Sequence, residues 1–113
     1  MSRLLKADQI DQYKKDGAVL VKGKFDKAWI EKLRKGISKD FQNPSPRFVR
    51  HTKDNDAPGY FEDFWTWDLF DEFTDFVHKS PTAQIASELM SASQVNLVMD
   101  NWFLREAGSK SGA

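Results

Sequence analysis

The stretch YFEDFWTWDLFDEF, residues 60–73, carries seven aromatic rings and five carboxylates with no basic residue among them. Large rings need burial, and carboxylates need water or a cation. A segment holding both must therefore sit between an apolar layer and a source of positive charge. On a helical wheel Phe61, Trp65, Leu69, Phe73 and Val77 advance as one i, i+4 stripe, and Tyr60, Phe64, Trp67 and Phe70 fall on the opposite side. The spacing predicts a helix over 60–77 wedged between two layers, with the acidic residues in the gaps. The competing reading of the same helix is an aromatic–acidic docking surface on a small, complete, non-catalytic interaction domain.

The positive charge lies upstream. Formal net charge is zero, but residues 1–53 carry 14 basic and 6 acidic groups, and residues 54–113 carry 3 and 11. Opposite halves of this kind attract each other within one fold. The Lys residues are scattered and not interleaved with aromatics, so no nucleic-acid partner is expected. There is no cysteine, which excludes disulfides, thiolate metal sites and Cys nucleophiles. The opening MSRLLKADQIDQY lacks the apolar run of a signal peptide, and no later segment is apolar enough to span a bilayer, so no membrane partner and a cytoplasmic location are expected.

At 113 residues the chain amounts to one domain or part of one. KADQIDQYKKDG reads as a short helix with Asp8 as N-cap, Ile10, Tyr13 and Lys14 on one face, and Gly17 as the stop. The β-branched run in AVLVKGKF predicts a strand of four to six residues. Asp26 caps a second helix through about Phe41, with Trp29, Ile30, Leu33, Ile37 and Phe41 at helical spacing. Pro44 and Pro46 end it, and residues 44–59 form a long loop, a length more often functional than incidental. In SPTAQIASELMS, Ser80 is the expected N-cap, Pro81 the first helical residue, and Ile85, Leu89 and Met90 the inward side chains. Residues 94–106 predict a strand with apolar residues in both alternating sets, covered on both faces and with no visible neighbour. GSKSGA closes the chain as a tail over 107–113.

No nucleophile elbow, phosphate loop or metal-pair motif occurs. His78, near a helix C-terminus, reads as a favourable charge against the helix dipole. His51 sits in the long loop beside Arg47, Arg50 and Lys53, where a solvated residue and a functional one both fit. The carboxylates between 62 and 75 scatter around a helix axis rather than converging as an acid/base pair would. No catalytic residue and no metal ligand is assigned within the chain.

DQIDQYKKDGAVLVKGKFDKAWIEKLRKGI resembles the N-terminal signature of the phytanoyl-CoA dioxygenase family. GYFEDFWTWDLFDEFTDFVHKSPTAQIASELMSASQVNLVMDNWFLREAG is similar to bacterial members along its length, so the resemblance runs from about Leu5 to Gly108. It implies an α+β fold: a mainly helical N-terminal portion plus the first strand or strands of a double-stranded β-helix (a cupin-like jelly roll). Residues 1–113 would form a single partial domain, divided into helix–strand–helix (1–43), loop (44–59), aromatic helix and second helix (60–91), first barrel strand (94–106) and tail (107–113).

The family comprises non-haem Fe(II), 2-oxoglutarate-dependent oxygenases that hydroxylate small-molecule substrates. Their His-x-Asp pair, distant second His and carboxylate-gripping basic residue map beyond Ala113. Fe(II) and 2-oxoglutarate are accordingly cofactors of an intact parent, and neither is expected to bind this chain alone, which is expected to be inactive. The resemblance places Asn101 and Arg105 as contacts to 2-oxoglutarate or substrate; a satisfied polar position in a sheet and a rim ion pair are the alternatives. It also places Arg47, Arg50 and His51 in a loop that covers substrate, where an anionic group would meet them unless they are merely solvated. Self-association through the unpaired last strand is expected of the isolated chain, and the ring excess of 60–73 would mark a missing barrel.

Overall fold

Capping chemistry sets the helix boundaries. In the computed structural model, which describes residues 2–53 and 58–109, α1 spans Ala7–Asp16. Its start is fixed by the Lys6 amide, which donates to the Gln9 side chain at 2.9 Å, so Asp8 lies in the first turn and not at the cap. Its end is fixed by Gly17 at φ 79°, where a Cβ would be strained. Helix α2 spans Lys27–Gln42, and Asp26 accepts from the Trp29 amide at 3.0 Å as expected. Helix α4 spans Thr82–Met90; Ser80 Oγ accepts from the Thr82 amide, Pro81 occupies the cap position, and Met90 faces solvent instead of inward.

Two expected elements do not form. Residues 18–25 belong to no ladder, and Leu20 is 74% exposed. Their β-branched run has local strand preference but no partner strand, and a strand is stabilised by its neighbours. The helix over 60–77 is replaced by strand β2 (Tyr60–Phe64), a turn, and helix α3 (Asp71–Lys79). The turn starts at Trp65, whose φ is 57°. Asp100 then holds it: its carboxylate accepts from the Thr66 amide and hydroxyl and from the Trp67 amide at 3.0–3.1 Å, and its carbonyl accepts from the Trp65 amide at 2.9 Å. The i, i+4 stripe is thereby split. Phe61 is buried in a strand and Phe73 in a helix, while Trp65 and Leu69 are exposed.

Strand β3 (Asn101–Arg105) pairs antiparallel with β2, and β2 pairs antiparallel with β1 (Val49–Arg50), giving the sheet order β1-β2-β3. The last strand therefore has a neighbour, correcting the expectation of none. It is also shorter than 94–106 and is not covered on both faces, since Phe103 is 58% exposed. The register places Glu62 opposite Phe103, Phe64 opposite Asn101 and Tyr60 opposite Arg105. Trp65 and Asp100 are bonded at one end of this ladder and Glu106 and Gly59 at the other. By the alternation of an antiparallel ladder, Trp102 and Leu104 turn their backbone groups to β2, and Asn101, Phe103 and Arg105 turn theirs to the open edge.

Helix α2 lies over one face of the sheet. Phe41 meets Phe61 at 4.9 Å and Trp102 at 5.7 Å between ring centroids, and Phe48 meets the same two rings at 6.1 and 6.0 Å. Beside it α3 approaches so closely that a Cβ on Gly36 would stand 2.6 Å from the Phe73 ring. The unequal charge of the two halves is used here: Lys39 meets Glu72 at 2.7 Å and Lys32 meets Asp75 at 2.5 Å. Helix α4 anchors the N-terminal segment, Glu88 accepting from the Leu4 and Leu5 amides at 2.8–3.0 Å. Among the described residues no helix is long and apolar enough to cross a membrane. Residues 54–57 of the expected loop and 110–113 of the expected tail lie outside the described residues.

Candidate functional site on the open sheet face

Side chains alternate across a strand, so the register decides which residues meet. One set, with Phe61, Asp63 and Trp102, turns toward α2. The other, with Tyr60, Glu62, Phe64, Asn101, Phe103 and Arg105, turns away, joined by His51 just past β1, whose amide bonds the Tyr60 carbonyl at 2.8 Å.

Glu62 is the centre of this second set. Its carboxylate lies 2.7 Å from His51 Nε2 and accepts from the Asn101 side-chain amide at 3.3 Å. The His51 ring lies 4.7 Å from the Tyr60 ring, and the Arg105 guanidinium stands 4.3 Å over that same ring. Phe103 continues the surface at 6.3 Å from Tyr60. Below this row, the Glu106 side chain fixes the Gly59 amide at 2.8 Å. The result is a shallow wall on which a carboxylate, an imidazole, an amide and a guanidinium are held by one another beside an exposed ring. Such a wall can orient a small polar ligand, with Arg105 and Asn101 as N–H donors and Glu62 as acceptor.

Of the five residues singled out from sequence, His51, Asn101 and Arg105 converge on this face. Arg50, aligned with Phe61, is on the other face, its guanidinium 4.9 Å from the Phe61 ring. Arg47 reaches past the end of β2, donating to the Phe64 carbonyl at 2.9 Å and the Trp65 carbonyl at 2.8 Å. Glu62 and Tyr60, which tie the cluster together, were hidden by the helical reading of 60–77. The two-residue alternation of Tyr60, Glu62 and Phe64 against Phe61 and Asp63 was the signal for a strand. The segment proposed as a docking helix is therefore a strand, a turn and a shorter helix. His78 does stand in the last turn of α3, its ring 5.8 Å from Trp67. Among the described residues no three His, Asp or Glu side chains come together as a metal site would require.

No family model matches the chain, and neither a curated protein nor a solved structure matches it.

Proposed function

We propose that this chain is the helical and first-strand portion of an Fe(II)/2-oxoglutarate-dependent oxygenase, a cytoplasmic hydroxylase of a small molecule that resembles the phytanoyl-CoA dioxygenase family. The observation that carries the reading is the asymmetry of the sheet. One face packs its rings under α2, the other bears the His51–Glu62–Asn101 cluster with Arg105, and among the described residues no strand pairs with the outer edge of β3. A jelly-roll oxygenase needs such a piece: helices on the outer face, polar groups on the inner face, and an edge where further strands continue.

The described residues do not fit an iron site, because His51 and Glu62 are paired with each other and no third donor joins them. In this reading the iron ligands belong to residues outside this chain. A dicarboxylate fits the open face better, since Asn101 and Arg105 supply the N–H donors that a carboxylate requires. When bound, 2-oxoglutarate supplies two electrons for oxygen reduction as it loses carbon dioxide and becomes succinate. The work of this chain's residues is to hold and orient. Arg105, lying on the Tyr60 ring, directs its guanidinium toward a carboxylate, and Glu62 keeps the Asn101 amide and the His51 ring from turning away. In the isolated chain, the free β3 edge would serve self-association instead.

Extending the coding sequence past Ala113 tests this reading. A His-x-Asp pair is expected shortly downstream, and the extended protein should convert 2-oxoglutarate to succinate with Fe(II). Arg105→Ala in that protein should raise KM for 2-oxoglutarate about tenfold or more while leaving its circular dichroism unchanged. Lack of the His-x-Asp pair, or an unchanged KM, would overturn it.

A further inference from the structure

Two carboxylates are fully buried where α2 meets the sheet: Asp40 from the last turns of the helix and Asp63 from β2. Among the described residues neither forms an ion pair with a basic side chain. Lys39, next to Asp40, is turned to Glu72, and the guanidinium of Arg47 is spent on the Phe64 and Trp65 carbonyls. Uncompensated burial of two negative charges side by side is too costly to persist.

Their hydrogen bonds differ in a telling way. Asp63 is filled as an acceptor, by Ser45 Oγ at 2.6 Å, the Phe64 amide at 2.8 Å and the Ser45 amide at 3.3 Å. Asp40 accepts through Oδ2 from the Trp102 indole at 3.0 Å, while its Oδ1 is buried with no donor to accept from among the described residues. Asp40 is hydrogen-bonded to Asp63, so its oxygen without a donor is accounted for if it carries a proton and donates it there.

We propose that Asp40 and Asp63 form a one-proton clasp between helix α2 and the sheet, closed while they share a proton and loosened when that proton leaves. The clasp gathers four segments: α2 through Asp40, the following loop through Ser45, β2 through Asp63, and β3 through Trp102. Burial, then the hydrogen bond to Asp63, pushes Asp40 up to about 7, against the opposing effect of the Trp102 indole. Loss of the proton thus falls near neutral pH. It leaves two like charges facing across the α2–sheet contact, and their repulsion acts on Trp102, whose neighbour Asn101 belongs to the open face. The clasp stands independently of the oxygenase assignment.

The sign follows from proton linkage. Folded Asp40 holds its proton more tightly than the unfolded chain does, so its contribution is complete below the ordinary value of 3.8 and is lost as pH rises toward about 7. In that window the unfolding constant should gain up to about tenfold per pH unit from this group. Two measurements on the full chain test the clasp: the Asp40 carboxyl ¹³C resonance, and the Trp102 indole N–H resonance assigned with Trp102→Phe. Both should titrate with a midpoint near pH 7. In Asp40→Asn, which donates to Asp63 without titrating, the indole step should vanish and the loss of stability between about pH 4 and 7 should flatten. A wild-type carboxyl midpoint below pH 5, or an indole step that survives in Asp40→Asn, would overturn the proposal. The wild-type titration decides the matter even if the variant fails to fold.

Discussion

On one face of the sheet Phe61 and Trp102 meet Phe41 and Phe48 ring to ring, while one residue along each strand Phe103 is exposed and Glu62 half-buried. The same five residue pairs of one ladder build both surfaces. What separates them is the layer beyond: α2 covers one, and no described element covers the other. Side chains of the covered face are held by packing, so altering them should be felt throughout the fold. Those of the open face are held by each other, so altering them should be felt by whatever binds there.

The contrast breaks most directly at its centre. Phe61→Ala should cost about 3–5 kcal/mol in urea unfolding followed by circular dichroism. Phe103→Ala, opposite Glu62 on the other face, should cost less than about 1 kcal/mol; equal losses would mean the open face is a core. Gly36→Ala drives a methyl into the Phe73 ring and should destabilise by about 1–3 kcal/mol, with part of the loss recovered by Phe73→Leu.

Acid sharpens the covered side further. The hydrogen bond from Lys39, outweighing burial, holds the Glu72 carboxyl below its ordinary value of 4.5. Its contribution is therefore present above that value and is lost as pH falls through the lowered one, so the wild type should lose stability below about pH 4.5 more steeply than Glu72→Gln. Urea midpoints measured from neutral pH downward read the difference. The smallest effect belongs to the open face: Glu62→Gln should change stability by about 0.5 kcal/mol or less, because its partners stay near solvent.

The sequence made the helices legible where a local rule decided them. Asp26, Gly17 and the Ser80–Pro81 pair act within a few residues, and α1, α2 and α4 stand close to where those signals put them. It misled where the deciding partner was distant. Phe61, Trp65, Leu69 and Phe73 satisfy helical spacing, and nothing within the stretch announces that Asp100 will hold the amides of Thr66 and Trp67. Val19–Val21 show the converse, with a good strand composition and no partner strand to pair with. The open-face site was legible only as separate residues. His51, Asn101 and Arg105 carry the right chemistry singly, but their convergence depends on the β1–β2–β3 register, and Glu62 acquires its place only through that pairing.

The Asp100 contact has a consequence for how the chain is made. Thr66 waits for an acceptor 34 residues downstream, and α3 and α4 occupy the interval. During synthesis from the N-terminus, residues 60–69 leave the ribosome with their rings and amides in place but without the strand and carboxylate that organise them. Both helices of the interval can form from local contacts before the sheet closes. The most aromatic part of the molecule thus stays without its partner strand throughout that interval, during which it is an obvious target for a chaperone.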